Sequence, residues 1–425
     1  MSMPRAVRHI NEVRVLDSLY RHGTTTRADL ARELRLMRST VSHLVAGMVE
    51  QGLILESEVA GSTPGGRSGR PGQHVQLNPA HSVFIGADIG IGHMSVVALD
   101  LLGRPFRSRS VAVRSRPGAV DESIATLGTA VRAMIRQLPD AKVIRGICVT
   151  VPGLVDRDGV VLRAPVLGWN TVPVRALIAA KLKWSGVLAL ENDANAFAAA
   201  ELYGRLPAAY ADALFVYLDA GIGGGMVSQG RLLRGHSGYA GEIGHIHLGE
   251  HGFNPLAPVP GSFESYVGRD AVLARYKHHG GRAEGLEDFI AALAAQTPVA
   301  RKTASEWAWW MGRGIASLVS VLDPGRIVLG GAVAALYTHA EQEVVDSIRK
   351  HLVPAPALPR IEVSRLGSEA CAIGAAMILH QRLLSFDDRI VYGETNEAVG
   401  LPPDSHAPVK AAATRTRAGI SRRSW

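Results

Sequence analysis

Cysteine is scarce in this 425-residue chain: Cys148 and Cys371 are its two thiols, and each lies inside an apolar run. Two such residues cannot supply the disulfide framework of a small secreted domain, so we expect buried free thiols in the reducing cytoplasm. No apolar run approaches the roughly 18 residues of a membrane-spanning helix. The early arginines are not followed by the apolar stretch of a signal peptide. We therefore expect a cytoplasmic protein that does not bind membranes.

Lysine is absent from residues 1–72, which hold ten arginines and seven acidic residues and so carry an excess of three positive charges. The net charge of the whole chain is +8. Positive charge permits binding to nucleic acid, and arginine suits bidentate contacts with phosphate and guanine. Arginine also dominates over lysine in the rest of the chain, so the charge alone does not identify a DNA-binding segment.

Composition divides the chain into three parts. Residues 1–80 are charged and helix-periodic at first, and they are predicted to form a small domain whose wing and linker occupy residues 56–78. From residue 81 to residue 382, apolar strand-like runs alternate with alanine-rich helical segments, which is typical of α/β structure. Residues 383–425 show no periodicity and are predicted to be a disordered tail.

The first 52 residues contain three segments with the apolar spacing of amphipathic helices. The first segment covers residues 7–20. Thr26 is placed to cap the second helix, and the third opens at Arg38 or Ser39 and stops at Gly52. This arrangement predicts a helix-turn-helix.

The third helix is the predicted DNA-reading element, because the N-terminal residues of such a helix meet base edges in the major groove. Those residues are Arg38, Ser39, Thr40, Ser42 and His43. A strand starting at residues 53–55 can pair with a strand at residues 74–77, and the loop between them would be a wing that brings Arg67 and Arg70 to DNA. The alternative is a three-helix subdomain whose charged face meets only solvent.

An internal repeat lies inside the α/β part. Residues 84–104 read FIGADIGIGHMSVVALDLLGR, and residues 215–235 read FVYLDAGIGGGMVSQGRLLRG. Each copy consists of an apolar strand, the pattern D-x-G-I-G and a second strand. Glycine has no side chain, so the backbone N–H groups of such a turn can approach a ligand closely. Two facing copies would clamp phosphate, and the candidate residues are Asp88, Gly90, Gly221, Gly223 and Gly224. The alternative is two ordinary glycine-rich hairpins.

Five further motif-like segments follow one another in the α/β part of the chain. They are PGLVDRDGVVLRAPVLGW at 152–169, ENDANAFAAAE at 191–201, GEIGHIHLG at 241–249, GSFESY at 261–266 and DPGRIVLGGAVA at 323–334. With the two glycine hairpins, they resemble the ROK family of repressors, open reading frames and sugar kinases. A winged helix-turn-helix in front resembles the repressor branch of that family.

The resemblance implies an actin-like, sugar-kinase-type fold with a sugar bound between two lobes. We expect the lobes at residues 81–200 and 201–382, with the last helix returning to the first lobe. The family's sugar-binding positions correspond here to Gly153, Asn192, Asp193, Glu242, His245 and Glu264. Asp193 matches the base that accepts a proton from the sugar, although Asn192 and Asp193 would also serve as helix caps. The adenosine-binding loop corresponds to Gly330 and Gly331.

Both phosphate loops depart from the family pattern. Ile91 and Gly92 stand where the first loop has Gly-Thr, and Asp219 and Ala220 stand where the second has Gly-Thr. The charge of Asp219 opposes phosphate binding, and phosphoryl transfer needs a positioned phosphate. We therefore expect that ATP binding is weak or lost, that the protein is not an enzyme, and that Asp193 is a vestigial catalytic base.

The zinc site of many family members is also altered. Its three cysteine positions hold Pro255, Ala257 and Ser262, so zinc cannot bind in the family's manner. We expect no metal and no cofactor, and hydrogen bonding rather than metal binding by the nearby His245, His247 and His251. Packing must then order the loop, and the candidates are Phe253, Leu256 and Phe263. Val166 replaces an asparagine of the family, which changes one sugar contact.

Together these features predict a sequence-specific DNA-binding regulator, a repressor of carbohydrate metabolism that responds to a sugar or sugar phosphate. Because palindromic operators demand two-fold symmetry, we expect a homodimer or a dimer of dimers. The alternative is an active, glucokinase-like ATP-dependent sugar kinase with an added DNA-binding domain. A third interpretation is a regulator whose sugar site is vestigial.

Overall fold

A computed structural model describes residues 3–58, 73–113, 116–139, 142–203, 210–236, 238–254, 257–353 and 357–384. Nearly all of the predicted tail, and the wing residues Arg67 and Arg70, lie outside these ranges. Cys148 and Cys371 are buried free thiols, as predicted. Across the described ranges, no helix has both the length and the apolar character that crossing a bilayer requires.

The N-terminal domain is a winged helix-turn-helix. Its elements are α1 (Met3–His22), β1 (Thr25–Thr26), α2 (Arg27–Leu34), α3 (Arg38–Glu50), β2 (Ile54–Glu58) and β3 (Gln73–Leu77). The strands form an antiparallel sheet in the order β1-β3-β2. The prediction of three helices and a returning strand pair is confirmed, and the first helix extends beyond residues 7–20 at both ends.

Local chemistry sets the ends of these helices. The hydroxyl of Thr26 accepts a hydrogen bond of 3.1 Å from the backbone N–H of Asp29, which caps α2 as predicted. Gly23 follows α1 with a φ of 73°, and Gly52 follows α3 with a φ of 77°. Glycine takes this left-handed conformation without steric cost, so the chain turns where the sequence indicates.

The first lobe is a five-stranded sheet with helices on one face. Its elements are β4 (Ser82–Ile89), β5 (His93–Leu99), β6 (Pro105–Ala112), α4 (Val120–Arg136), β7 (Val143–Val151), β8 (Leu154–Val155), β9 (Val161–Ala164), β10 (Trp169–Val172), α5 (Val174–Leu182) and β11 (Leu188–Asn192). The sheet order is β11-β7-β4-β5-β6, and α4 and α5 pack on one side. β8, β9 and β10 form a separate antiparallel flap.

The second lobe repeats this topology. Its elements are α6 (Asp193–Tyr203), β12 (Ala213–Leu218), β13 (Ile222–Ser228), β14 (Arg231–Leu233), α7 (Phe263–Val267), α8 (Arg269–His278), α9 (Leu286–Ala294), α10 (Pro298–Leu322), β15 (Arg326–Gly330), α11 (Tyr337–His351) and β16 (Arg360–Val363), and the chain continues into α12 (Ala370–Leu384). The sheet order β16-β15-β12-β13-β14 matches the first sheet strand for strand. The two repeats are the antiparallel hairpins β4–β5 and β12–β13.

Two helices, α6 and α12, lie between the sheets. α6 packs on the second-lobe sheet, where a Cβ at Gly225 would overlap Ala198. α12 packs on the first-lobe sheet, where a Cβ at Gly86 would overlap the carbonyl of Ala372. By this packing α6 lies with the second-lobe sheet, because its small side chains fit the glycine-rich strand β13.

The N-terminal domain shares a hydrophobic core with the first lobe. Leu16 and Leu19 of α1 belong to the same buried cluster as Leu99, Leu101 and Met377. This burial removes apolar surface of both units from water, which stabilises their contact. The DNA-binding domain is therefore packed against the first lobe rather than tethered beside it.

The close packing of α6 and α12 gives a stability prediction. A Cβ at Gly374 of α12 would overlap the carbonyl of Ala196, so Gly374→Ala should lower the free energy of unfolding by roughly 1–3 kcal/mol. Gly47→Ala in α3 is the matched control, because its Cβ would meet only Arg8 at 3.6 Å, and helix propensity should then stabilise it by up to about 1 kcal/mol. Denaturant unfolding of both variants measures the difference, and equal effects would contradict the packing argument.

Candidate functional site

A cleft of about 600 Å³ opens between the two lobes. The ends of β4, β11 and β12 and the starts of α6 and α12 form its floor, and the flap strands β9 and β10 form part of its rim. All six predicted sugar-binding positions line it: Gly153, Asn192, Asp193, Glu242, His245 and Glu264. The parallel and repeated strands bring these residues together from segments more than a hundred positions apart in the chain.

Asn192 links the turn at Gly153 to the start of α6, at the end of the cleft that holds the predicted sugar-binding residues (the sugar end). Its side-chain Nδ2 donates a hydrogen bond of 3.0 Å to the carbonyl of Gly153, and its Oδ1 accepts one of 3.1 Å from the backbone N–H of Asn195. The second bond caps the first turn of α6, so the helix-capping interpretation is confirmed. Capping fixes the amide at the cleft wall and leaves one N–H of the side chain for a ligand.

Asp193 opens α6 and is partly buried at the floor of the cleft. Burial raises the pKa of its carboxyl well above the ordinary value, and the neighbouring charge of Asp88 raises this pKa further. The backbone N–H of Ala194 donates to Asp193 Oδ1 at 2.8 Å and counteracts part of that rise. A carboxyl in this state can share a proton with a ligand hydroxyl.

His245 lies between two carboxylates. Its Nε2 is 3.5 Å from Glu264 Oε1, and its Nδ1 is 3.6 Å from Glu242 Oε2. The interaction with Glu264 raises the pKa of His245, and burial raises the pKa of Glu242. The group therefore presents a hydrogen-bond donor between two acceptors, an arrangement that suits adjacent hydroxyl groups.

The other end of the cleft corresponds to the two glycine hairpins. Asp88 is buried, and its Oδ1 accepts a hydrogen bond of 2.7 Å from Thr150 Oγ1. Burial raises the pKa of Asp88 to about 6. Asp219 faces it from the second hairpin, 3.4 Å from Arg269 Nη1, and burial raises the pKa of Asp219 as well. This end of the cleft thus carries two carboxylates, and Asp219 is the one that departs from the phosphate-loop pattern described above.

The predicted nucleotide residues divide into two groups. Asp88, Gly90, Gly221 and Gly223 line the cleft. Gly224, Gly330 and Gly331 do not belong to the lining, and their lack of a side chain serves packing: a Cβ would press on Ile243 at Gly224, overlap Phe197 at Gly330 and overlap the carbonyl of Leu218 at Gly331.

Several lining residues were not predicted. Arg163 and Asn170 come from the flap, and Tyr239 lies at the rim with 56% of its surface exposed. Arg163 lies inside the segment 152–169 but was not singled out there, and nothing in the local sequence marks Asn170 or Tyr239. Tyr217 could have been found, because it precedes Asp219 by two residues in the repeat and strand alternation turns both to one side.

The loop at which the family resemblance implies a zinc site is held by hydrogen bonds and packing. Ser262, at one of the cysteine positions, caps α7 by accepting a hydrogen bond from the backbone N–H of Ser265. The guanidinium of Arg275, wholly buried, lies 4.3 Å from the ring of Phe253 and donates to the carbonyl of Tyr266 at 2.8 Å. Phe263 and Ala257 are buried, and Pro255 and Leu256 fall outside the described residues. No group of three or more His, Cys, Asp or Glu side chains among the described residues is placed to hold a metal.

The predicted DNA-reading residues occupy one end of α3. Arg38, Ser39 and His43 are exposed, and Thr40 and Ser42 are partly exposed. Met37 precedes the helix with 76% of its surface exposed and makes no side-chain cap. The first N–H groups of α3 are therefore open to an outside acceptor such as a DNA phosphate.

Comparison with known proteins agrees with this division of the chain. A family model described as the ROK family matches residues 84–382, and one described as the MarR family matches residues 8–67. A xylose repressor of Caldicellulosiruptor bescii is 25% identical over 402 residues, which cover 90% of this chain and 98% of that protein.

Two solved structures are similar in fold. A ROK family transcriptional regulator, described as a homologue of the E. coli MLC protein, has a TM-score of 0.74 and 22% identity over 89% of this chain and 97% of its own. A ROK family glucokinase from Streptomyces griseus, in complex with glucose and AMPPNP, has a TM-score of 0.62 and 26% identity, and covers 70% of this chain and 99% of its own.

The buried carboxyl of Asp88 predicts a pH-dependent stability. Its pKa of about 6 in the folded chain exceeds the ordinary 3.8 of the unfolded chain. The ionised group therefore destabilises the fold above pH 6, and this cost disappears as the pH falls towards 4. Asp88→Asn, which keeps an acceptor for Thr150, should raise the free energy of unfolding by about 1–3 kcal/mol at pH 7.5, with a gain that shrinks at lower pH. Urea unfolding across this range, with the exposed Asp158→Asn as control, tests it. A less stable Asn variant at pH 7.5 would contradict the prediction.

Proposed function

Because the chain belongs to the ROK family, we propose that it is a sugar-responsive, sequence-specific DNA-binding regulator that represses genes of carbohydrate metabolism. One observation carries the proposal: an exposed recognition helix and a cleft lined by sugar-type ligands occur on two units that share a core. The similarity to a xylose repressor along nearly the whole chain supports it.

DNA contact is proposed through α3 and the strands that support it. Arg27 is not free for this role, because it pairs with Glu56 at 2.6 Å and so braces α2 against the wing strand β2. Arg38 and His43 project from the opening turns of α3, and a bidentate contact of arginine with guanine discriminates bases by about 1–3 kcal/mol. The proposed partner is an operator of two half-sites bound by a homodimer.

The proposed effector binds at the sugar end of the cleft. Glu242 and Glu264 would accept hydrogen bonds from hydroxyl groups, and His245 between them would donate one. At the other end, Asp219 would oppose a phosphate, because its carboxylate adds to that of Asp88 and like charges in a cleft repel one another. These charges favour an unphosphorylated sugar over a sugar phosphate as the effector.

A second candidate function is an ATP-dependent sugar kinase. The observation in its favour is Asp193, which lines the cleft with a raised pKa, as a catalytic base would. Both phosphate loops argue for loss of this activity. Ile91 and Gly92 in the first loop, and Asp219 and Ala220 in the second, stand where the family pattern has Gly-Thr. ATP turnover with D-glucose that Asp193→Asn abolishes would reverse the order of the two candidates.

We also propose that no zinc is needed. Ser262 and Arg275 hold the loop and α7 by hydrogen bonds and by the contact with Phe253. Cation–π and buried hydrogen-bond contacts of this kind order a loop without a metal.

The first test is binding to DNA from upstream of the protein's own coding region. We expect fluorescence anisotropy at near-physiological salt to show specific binding that D-xylose or D-glucose alters several-fold, since allosteric coupling is typically ~1–3 kcal/mol. The corresponding sugar phosphates should have a weaker effect. Arg38→Ala should weaken specific binding, whereas Arg349→Ala, on the exposed end of α11, serves as the control. Binding no stronger than to scrambled DNA would refute the regulator proposal.

The second test restores the phosphate loop. In Asp219→Gly/Ala220→Thr, the repulsive carboxylate is removed and a hydroxyl is regained. We expect the affinity for Mg-ATP to increase by tenfold or more, which corresponds to the roughly 1.4 kcal/mol that one lost charge repulsion can supply. Calorimetry measures it, with Asp270→Asn at the cleft rim as the matched control. Tight ATP binding by the unaltered protein would show that the loops are not degenerate.

A further inference from the structure

The helices α6 and α12 both run from the cleft to the DNA-binding domain. α6 starts at Asp193 and α12 starts beside Cys371, and both of these residues line the cleft. Each helix belongs to a different lobe by its packing, as described above. Any change in the angle between the lobes must therefore move one helix relative to the other.

The two helices cross where Gly374 meets Ala196. A Cβ at Gly374 would overlap the Ala196 carbonyl, and Ala199 and Ile378 pack together one turn further along. Closely packed helices shift by small sliding and rotation at their contact, because separating them would open a void. The crossing is thus placed to act as the pivot between the lobes.

The position of this pivot favours movement at the far end of α6. At 1.5 Å per residue, Asp193 lies about 4.5 Å from Ala196 along the helix, and Tyr203 lies about 10.5 Å on the other side. A rotation that shifts Asp193 by a small amount therefore shifts Tyr203 by roughly twice as much.

Tyr203 contacts the DNA-binding domain at that end. The hydroxyl of Tyr20, near the end of α1, donates a hydrogen bond of 3.2 Å to the carbonyl of Tyr203. This carbonyl belongs to the last turn of α6, whose carbonyl groups lack partners within the helix. Burial raises the pKa of Tyr20, so the hydroxyl keeps the proton that it donates.

The ring of Tyr20 lies on the other interlobe helix. It packs 4.9 Å from the ring of His380 in α12, and His380 Nε2 lies 2.9 Å from the carbonyl of Leu101. His380 also packs edge-on against Phe84 of β4, at 5.1 Å. The ring of Tyr20 is therefore held against the first lobe. Its hydroxyl, in contrast, is bonded to α6, which packs on the second-lobe sheet.

From this geometry, we propose that Tyr20 is the positioning residue that couples the cleft to the DNA-binding domain, through the carbonyl of Tyr203. The inference rests on the proposed function, because it assumes that a cleft ligand alters DNA binding. Closing the lobes changes the distance between this carbonyl and the Tyr20 hydroxyl. The end of α1 then shifts, and α3, packed in the same core, shifts with it.

The experiment uses full-length Tyr20→Phe, which removes the hydroxyl and keeps the ring on His380. Anisotropy gives the Kd for upstream DNA without sugar and with saturating D-xylose or D-glucose, and calorimetry gives the Kd for each sugar alone. We expect the ratio of the two DNA Kd values to fall about three- to tenfold, the change that one hydrogen bond supports. The sugar Kd of the DNA-free protein should stay within about twofold of wild type.

Tyr210→Phe is the matched control. It removes a tyrosine hydroxyl that donates to Glu362 at 2.8 Å, away from α1. The ratio of its DNA Kd values with and without sugar should equal that of the wild type. Thermal unfolding checks that both variants fold. The coupling inference, but not the proposed function, would be overturned by either of two results. One is a wild-type ratio of DNA Kd values in Tyr20→Phe, and the other is an equal fall of that ratio in Tyr210→Phe. A wild-type protein whose DNA binding neither sugar alters would instead overturn the proposed function and this coupling with it.

Discussion

Where α6 passes α12, no side chain fits between the backbone of Gly374 and the carbonyl of Ala196. This contact sets the distance between the two sheets, because α12 lies on one sheet and α6 on the other. The sugar-type ligands come from both sides of the cleft, Asn192 from the first sheet and His245 from the second lobe. Their ability to reach one ligand therefore depends on a helix crossing that itself touches no ligand.

The sequence predicted those parts of the fold that local patterns encode. The helix-turn-helix was predicted from helix caps and stops such as Thr26 and Gly52, and the two hairpins were predicted from the matched repeat. Periodicity also identifies Leu16 and Leu19 as buried, but it cannot say against which surface, so the shared core with the first lobe was not predicted. The side on which α6 packs was not predicted either, because its many alanines give the helix no distinct apolar face.

The predicted cleft residues converge for a related reason. Motifs in a fixed order specify strand ends and helix starts, and the fold brings those ends together. The flap residue Asn170 and the rim residue Tyr239 belong to no motif, and only the tertiary structure places them at the cleft. Tyr20 is a further case, since its partners Tyr203 and His380 lie far from it in the chain.

The continuous core also limits how a ligand could control DNA binding. A domain joined by a flexible linker could search for its half-site independently of the lobes. Here α1 is packed into the first lobe, so each recognition helix follows that lobe, apart from the shift that the contact of Tyr20 with α6 would transmit. In a homodimer, the spacing of two such helices would be set by the orientation of the first lobes. A change in lobe angle of a few degrees would then alter the fit to both half-sites at once, because half-site spacing is a geometric constraint on binding.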